Sequence, residues 1–146
     1  INMSIEIYTD GACSGNPGLG GWGAIILINK NEPIYINGGS LKTTNNQMEL
    51  IAAIEALKYL SKSAYLNLFT DSKYVKDGIE SWIQNWKKNG WKTSAKKEVK
   101  NKDLWIELDK QILRHKIQWF WVKGHAGNKY NEKADLLARK FIIDNQ

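Results

Sequence analysis

The chain has 146 residues, of which 42% are hydrophobic and 25% charged, a size and composition typical of one globular domain rather than two. No apolar run approaches the ~20 residues that a membrane-spanning helix needs, and the first residues lack the layout of a signal peptide. The single cysteine, Cys13, excludes an internal disulfide and a metal site built from several thiolates. We therefore expect one domain over residues 1–146, in the reducing cytoplasm and without a membrane partner.

The first half of the chain predicts three strands followed by a helix. Residues 5–9 alternate apolar and polar side chains, which is typical of a strand, and the glycine-rich stretch from there to Gly23 predicts a loop. Residues 22–28 and 34–41 predict a hairpin. Residues 45–60 place apolar side chains at helical spacing, which predicts an amphipathic helix.

The second half of the chain predicts alternating strands and helices. Residues 65–70 predict a short strand, and helical spacing then runs to about Asn89 and resumes over residues 103–115. The apolar run 117–122 predicts a strand buried on both faces, and a last helix follows it. This order predicts an α/β fold in which an antiparallel meander and later strands form a mixed β-sheet flanked by helices.

The positive charge of the chain is concentrated in one segment. The formal net charge is +6, and residues 82–102, called the basic segment below, hold seven lysines and one acid. The segment also contains Trp82, Trp86 and Trp91. Lysines beside aromatic rings suit a nucleic acid, because ammonium groups displace phosphate counterions and rings pack on sugars or bases. The alternative is a solvated helix, with Trp82 and Trp86 on its buried side; Trp91 lies beyond that helical spacing.

Four acids stand at the predicted ends of strands or beginnings of helices. Asp10 and Asp71 follow strands, whereas Glu49 and Asp135 lie near helix starts. In an α/β sheet, side chains outside the carboxyl ends of neighbouring strands share one crevice. Carboxylates gathered there repel each other unless cations intervene, and Mg²⁺ prefers such oxygen ligands. The sequence therefore predicts a site for two Mg²⁺ ions, which can serve the attacking water and the leaving oxygen of one displacement.

Each acid also has a purely structural explanation. Asp10 suits a turn, Asp71 suits a helix cap, and Asp135 suits the helix dipole. Asn46 with Glu49 fits a capping box at the start of a helix. We favour the shared crevice because separate explanations would require four unrelated acids to fall at strand ends and helix starts by coincidence. The same chain also carries a candidate phosphate-binding segment.

Six strings spread over nearly the whole chain, in order, resemble those of one family: TDGACSGNPGLGGWGAI, TTNNQMEL, TDSKYV, WIQNWKKNGWKTSAKK, VKNKDLW and WVKGHAGNKYNEKAD. The chain resembles a bacterial-type ribonuclease H of type 1, catalytic domain only. The resemblance implies the ribonuclease H-like fold, with five strands of which the fourth and fifth are parallel to the first. It implies a monomeric endonuclease that hydrolyses the RNA strand of RNA/DNA hybrids, leaves 3′-hydroxyl and 5′-phosphate ends, and removes RNA primers and the RNA of R-loops.

The resemblance also implies roles for individual residues. Asp10, Glu49, Asp71 and Asp135 would hold two Mg²⁺ ions, with Mn²⁺ as a possible substitute. His125 would assist product departure or proton transfer, although a lone loop histidine most often has no role. Lys73 stands where bacterial relatives carry glutamine, which favours a phosphate contact. The residues implied in substrate binding are Cys13, Asn16 and Asn45 in the minor groove, Thr44 and Asn101 at a DNA phosphate, and Lys73, Trp82, Lys87, Lys88, Trp91, Lys92, Lys96 and Lys97 elsewhere on the hybrid.

Two other functions stay open on the sequence. A 3′ to 5′ exonuclease or a junction resolvase shares a similar sheet and acidic crevice, but the exonuclease pattern Asp-x-Glu on the first strand is not met, because position 12 is Ala12. A non-catalytic hybrid-binding module is disfavoured, because all four acids are present.

Overall fold

The computed structural model describes residues 4–123 and 128–146. The sheet contains five strands: β1 (Ile5–Gly15), β2 (Gly18–Ile28), β3 (Ile34–Thr43), β4 (Tyr65–Thr70) and β5 (Lys116–Trp121). The α-helices are α1 (Asn45–Tyr59), α2 (Lys73–Asp77), α3 (Ile83–Lys88), α4 (Lys102–Arg114) and α5 (Lys129–Asp144), with one π-helical turn at Gly78–Trp82. None of the helices in these residues is long and apolar enough to cross a membrane.

The sheet has the order β3-β2-β1-β4-β5. β1 pairs antiparallel with β2, and β2 pairs antiparallel with β3. β4 is parallel to both β1 and β5. The mixed sheet predicted from the element order is confirmed, and the carboxyl end of β4 lies next to β1.

Alternating residues of the strands build two separate apolar layers. Ile7 and Ile26 belong to the larger layer, which also contains buried side chains of α1 and α4. Tyr8 and Ile25, each one position along the same strands, belong to the smaller layer with Ala134 of α5. Because neighbouring strand residues point to opposite faces, α1 and α4 cover one face and α5 covers the other.

The loop predicted up to Gly23 is wrong, because these residues form a β-hairpin. β1 continues to Gly15, β2 begins at Gly18, and the two strands pair along this whole length. The glycines are needed because helices pack closely against the sheet here. A Cβ atom on Gly23 would lie 2.5 Å from the carbonyl oxygen of Ala134 in α5. A missing side chain therefore marks close helix packing rather than a flexible loop.

The structure corrects the prediction for β5 and adds detail to two helices. β5 is an edge strand with no fully buried residue, so it is not buried on both faces; the rings of Trp119 and Trp121 stack along it, with centroids 5.3 Å apart. The helical run predicted up to about Asn89 is confirmed, since it extends from Lys73 to Lys88 with the π-helical turn inside it. The N-cap of α1 is Thr44 rather than Asn46, so α1 begins two residues earlier than a capping box at Asn46 would require.

Candidate active site

Asp10 and Asp71 lie side by side because of the register between β1 and β4. The last pair of the parallel ladder joins Tyr8 to Phe69. Asp10 and Asp71 each follow that pair by two residues, so parallel strands bring them to the same level. Asp10 does not close β1 as predicted, since the strand continues to Gly15, but the pairing of β1 with β4 ends just before it.

Glu49 reaches the same place from α1. Because Thr44 is the N-cap, Glu49 lies in the second turn of the helix and not in the first. Gly11 permits the approach of this turn: a Cβ atom there would lie 2.6 Å from the backbone nitrogen of Glu49 and 2.7 Å from the carbonyl carbon of Met48. The backbone of α1 therefore packs directly on β1, next to Asp10.

The three carboxylates form one compact cluster. One oxygen of each of Asp10, Glu49 and Asp71 lies within 4.8 Å of the others, and Asp10 and Glu49 are buried. Burial, with the charges of Asp71 and Asp135, raises the pKa of Asp10 to about 8. Burial, with the charges of Asp10 and Asp71, raises the pKa of Glu49 well above its ordinary value. The cluster therefore resists full ionisation unless a cation compensates the charge.

Asp135 approaches this cluster from α5 on the other face of the sheet. Its charge acts on both Asp10 and Glu49. Arg139 holds it from one helical turn away: Nε donates to Oδ2 of Asp135 at 2.8 Å, and Nη2 lies 2.8 Å from the same oxygen. A side-chain hydrogen bond also links Asp135 to Asp10, although Asp135 is not part of the group of three whose oxygens lie within 4.8 Å of one another.

The donor set fits a hard divalent cation. All candidate ligands are carboxylate oxygens, which Mg²⁺ and similar ions prefer. Among the described residues, Oε1 of Glu49 is buried and has no hydrogen-bond partner. A buried acceptor without a donor is costly unless something binds it, and a cation would satisfy this oxygen. His125 lies outside the described residues, so its predicted role stays a prediction.

The basic segment presents most of its lysines to solvent. Lys88, Lys92, Lys96 and Lys97 are exposed, and among the described residues no salt bridge engages them. Lys87 differs, because its Nζ lies 3.2 Å from a carboxylate oxygen of Asp109 in α4.

The aromatic rings of the basic segment are divided between surface and core. Trp82 is 37% exposed and borders a cleft of about 500 Å³ that Tyr74 and Lys100 also line. Trp91 is half-buried, and its ring lies 6.5 Å from that of Trp86. Trp91 therefore has a packing role that its position beyond the helical stripe did not indicate.

Other candidate substrate-binding residues lie near the start of α1. The side-chain oxygen of Asn16 accepts a hydrogen bond from the backbone N–H of Asn45 at 3.2 Å, which joins two residues implied in the minor groove. The thiol of Cys13 donates to the carbonyl of Thr43 at 3.3 Å. Lys73 is exposed beside Asp71, with its Nζ 3.1 Å from Asp77.

Thr44 and Asn101, which are implied at a DNA phosphate, both accept hydrogen bonds from Gln47. Thr44 accepts from its backbone N–H, and Asn101 accepts from its side-chain Nε2. Sequence reasoning missed Gln47, Tyr74 and Arg139. The spacing of Asp135 and Arg139, four residues apart, was a usable signal for an ion pair on a helix. The spacing of Thr44 and Gln47 fits a capping box and was a usable signal for their contact. Nothing in the sequence signalled the bonds of Gln47 and Tyr74 to Asn101, because Asn101 lies far away along the chain.

The mixed sheet flanked by helices defines an α/β protein. The acids clustered beside the carboxyl end of a parallel strand give it a candidate site for divalent cations. The family model described as RNase H matches residues 2–143. The ribonuclease H of Wolbachia sp. subsp. Drosophila simulans (strain wRi) is 61% identical over 141 residues, which cover 96% of each chain. The chain therefore belongs to the ribonuclease H family of nucleases.

Solved structures show the same fold. LC9-RNase H1, a type 1 RNase H with the type 2 active-site motif, aligns with a TM-score of 0.86 and 29% identity over 100% of this chain and 75% of that chain. LC11-RNase H1, solved in complex with an RNA/DNA hybrid, aligns with a TM-score of 0.72 over 96% of this chain and 97% of that chain. Its identity of 23% supports likeness of fold alone.

Proposed function

We propose that this chain is an endonuclease that hydrolyses the RNA strand of RNA/DNA hybrids at the cluster of Asp10, Glu49, Asp71 and Asp135. The observation that carries the proposal is the convergence of three carboxylates within 4.8 Å, on a chain whose family is ribonuclease H. The relatives of 58%, 60% and 61% identity are ribonucleases H, and their name supports the choice of substrate. LC11-RNase H1, which has the same fold, was solved with an RNA/DNA hybrid.

The same four acids would hold Mg²⁺, with Mn²⁺ as a possible substitute. Divalent ions supply activation of the attacking water and stabilisation of charge on the leaving oxygen. Asp10 and Asp71 present ligand oxygens from the sheet, and Glu49 presents its unpartnered Oε1 from α1. By family resemblance, cleavage leaves 3′-hydroxyl and 5′-phosphate ends, and His125 assists product departure or proton transfer.

The basic segment would hold the DNA strand beside this site. Exposed lysines attract phosphates without reading bases, so affinity should depend on salt and weakly on sequence. Trp82 offers a partly exposed ring for a sugar, and the joined pair of Asn16 and Asn45 suits the minor groove, where 2′-hydroxyls distinguish RNA from DNA.

The remaining expectations belong to the same proposal. The chain would act as a single-domain monomer in the bacterial cytoplasm, on RNA primers and on the RNA of R-loops. Its relatives are bacterial ribonucleases H of nearly the same length, and this kinship supports the cytoplasmic location.

An internally labelled RNA/DNA hybrid, incubated with Mg²⁺ beside duplex RNA and duplex DNA, tests the proposal. We expect internal cuts in the RNA of the hybrid alone, and none with a chelator. Stepwise loss from strand ends would select an exonuclease instead, and binding without any cut would select a non-catalytic hybrid-binding module.

A further inference from the structure

A chain of side-chain hydrogen bonds connects α1, α2 and α4. Gln47 of α1 donates through Nε2 to Oδ1 of Asn101 at 3.0 Å, and its backbone N–H donates to Oγ1 of Thr44 at 3.2 Å. Nδ2 of Asn101 donates to the hydroxyl of Tyr74 at 3.1 Å. The same hydroxyl accepts from Nε1 of Trp105, a fully buried ring, at 2.9 Å.

The amide of Asn101 is held from outside its own helix. Asn101 is the N-cap of α4, a position where an asparagine usually bonds to the first turn of the helix. Here it makes no capping bond and has a left-handed backbone, with φ of 59° and ψ of 31°. Its amide points instead toward Gln47 and Tyr74, so these two residues determine where the amide lies.

Asn101 keeps capacity for one more bond. A side-chain amide has two N–H groups, and Tyr74 takes one of them. Asn101 also lines an open cleft of about 600 Å³ with Gln47, two lysines and two acids: Lys100, Lys102, Glu98 and Asp103. Glu98 pairs with Lys102 at 3.3 Å, whereas among the described residues no salt bridge engages Lys100. An amide N–H beside the ammonium group of Lys100 is suited to a phosphate oxygen.

We propose that Gln47 and Tyr74 are positioning residues, which hold Asn101 so that its remaining N–H meets a phosphate of the DNA strand. This inference rests on the proposed function, because the phosphate belongs to a bound hybrid. The side chain of Gln47 is itself fixed, because its Oε1 accepts from the hydroxyl of Thr43 at 2.8 Å while its Nε2 donates to Asn101. The bond to Thr44 comes from the backbone N–H of Gln47 and does not depend on the side chain.

The variant Gln47→Leu tests the proposal, with Gln111→Leu as its matched control. Gln111 is another helical glutamine, and it bonds to Arg114 at the far end of α4, away from the cleft. Gln47→Leu should raise KM for a hybrid by about tenfold, since a charge-assisted hydrogen bond to the phosphate no longer forms. It should leave kcat within about twofold, and it should leave the slope of log affinity against log salt unchanged, because a neutral amide neutralises no phosphate charge. Gln111→Leu should lower the melting temperature without changing KM.

A double-mutant cycle with Asn101→Ala separates positioning from mere folding support. If Gln47 acts through Asn101, Gln47→Leu should add almost nothing to KM in the Asn101→Ala background. If Gln47→Leu does not fold, Tyr74→Phe takes its place, because it keeps the ring against Trp82 and Trp105. Additive effects, or an unchanged KM in the single variant, would overturn the positioning role. Failure of the unaltered chain to cut any hybrid would instead overturn the proposed function.

Discussion

The acidic cluster and the basic segment carry opposite charges, and the fold places them in opposite surroundings. Asp10 and Glu49 are 5% and 6% exposed and are held by β1 and α1, whereas Lys88, Lys92, Lys96 and Lys97 extend into solvent. Ligands for an ion have to keep their geometry within fractions of an ångström, which only a packed scaffold provides. Phosphate attraction acts through solvent over a Debye length of about 10 Å, so mobile side chains suffice for it.

Replacement of Asp10 by asparagine should give the largest effect and separate the two regions. Asp10→Asn should reduce hydrolysis by about a thousandfold or more, because it removes a buried ligand at the centre of the cluster. Hybrid binding should largely survive, since the lysines are untouched. Single-turnover cleavage and filter binding measure the two effects, with exposed Asp144→Asn at the end of α5 as the control. Normal turnover of Asp10→Asn would remove this carboxylate from the site.

Gly11→Ala should break the geometry of the cluster without touching any acid. The added Cβ atom would lie 2.6 Å from the backbone of Glu49, so α1 has to move. We expect a loss of about 2 to 3 kcal/mol in the free energy of unfolding, and at least a tenfold loss of kcat by the same displacement.

Gly90→Ala is the counterpart of this variant in the basic segment. Gly90 has φ of +66° but no atom within 4 Å of an added Cβ, so the substitution should cost about 1 kcal/mol through the backbone alone. Chemical denaturation and kcat measured on both variants complete the comparison. Equal effects on kcat would contradict the view that close packing at Gly11 places Glu49.

Without a metal ion, the cluster should make the protein less stable as the pH rises. The pKa of Asp10 is about 8 in the folded protein and near its ordinary 3.8 in the unfolded chain. The folded state therefore binds more protons between these values, and the free energy of unfolding falls as the pH rises through that window. In a chelator, the melting temperature should be higher near pH 5 than near pH 8 by about 5 °C or more.

Saturating Mg²⁺ should abolish or reverse this pH dependence, because the ion binds the ionised carboxylates of the folded state. Asp10→Asn should also flatten the dependence in the chelator. If the melting temperature of Asp10→Asn in the chelator changed with pH as much as that of the unaltered protein, the buried acids would not be the cause of this pH dependence.

Replacement of lysines should give the smallest effect. We expect it to change the affinity for the hybrid and not kcat. Changing Lys88, Lys92 and Lys96 to alanine should weaken hybrid binding and reduce its salt slope by about one for each phosphate that is no longer neutralised, with kcat unchanged. Lys87→Ala should change the slope less, because Asp109 already neutralises that ammonium group. An unchanged slope in the triple variant would argue against the basic segment as the phosphate-binding surface.

Much of the fold followed from local patterns, and the failures have a common cause. The strand at 65–70 and the helix at 45–60 were predicted nearly to the residue, since periodicity is a local property. The hairpin over Gly11 to Gly23 was missed, because its glycines serve contacts with α1 and α5. The burial of β5 was predicted wrongly, because its position at the edge depends on the order of all five strands.

The sequence by itself determined the family, the candidate acids and the location of the excess charge, because these depend on residue identity and order. The tertiary structure decided that three acids lie within 4.8 Å, that Asp109 engages Lys87, and that Gln47 holds Asn101. Such contacts join residues far apart along the chain, and their distances and burial depend on how whole elements pack. The raised pKa of Asp10 has the same origin, since burial and neighbouring charges exist only in the folded chain.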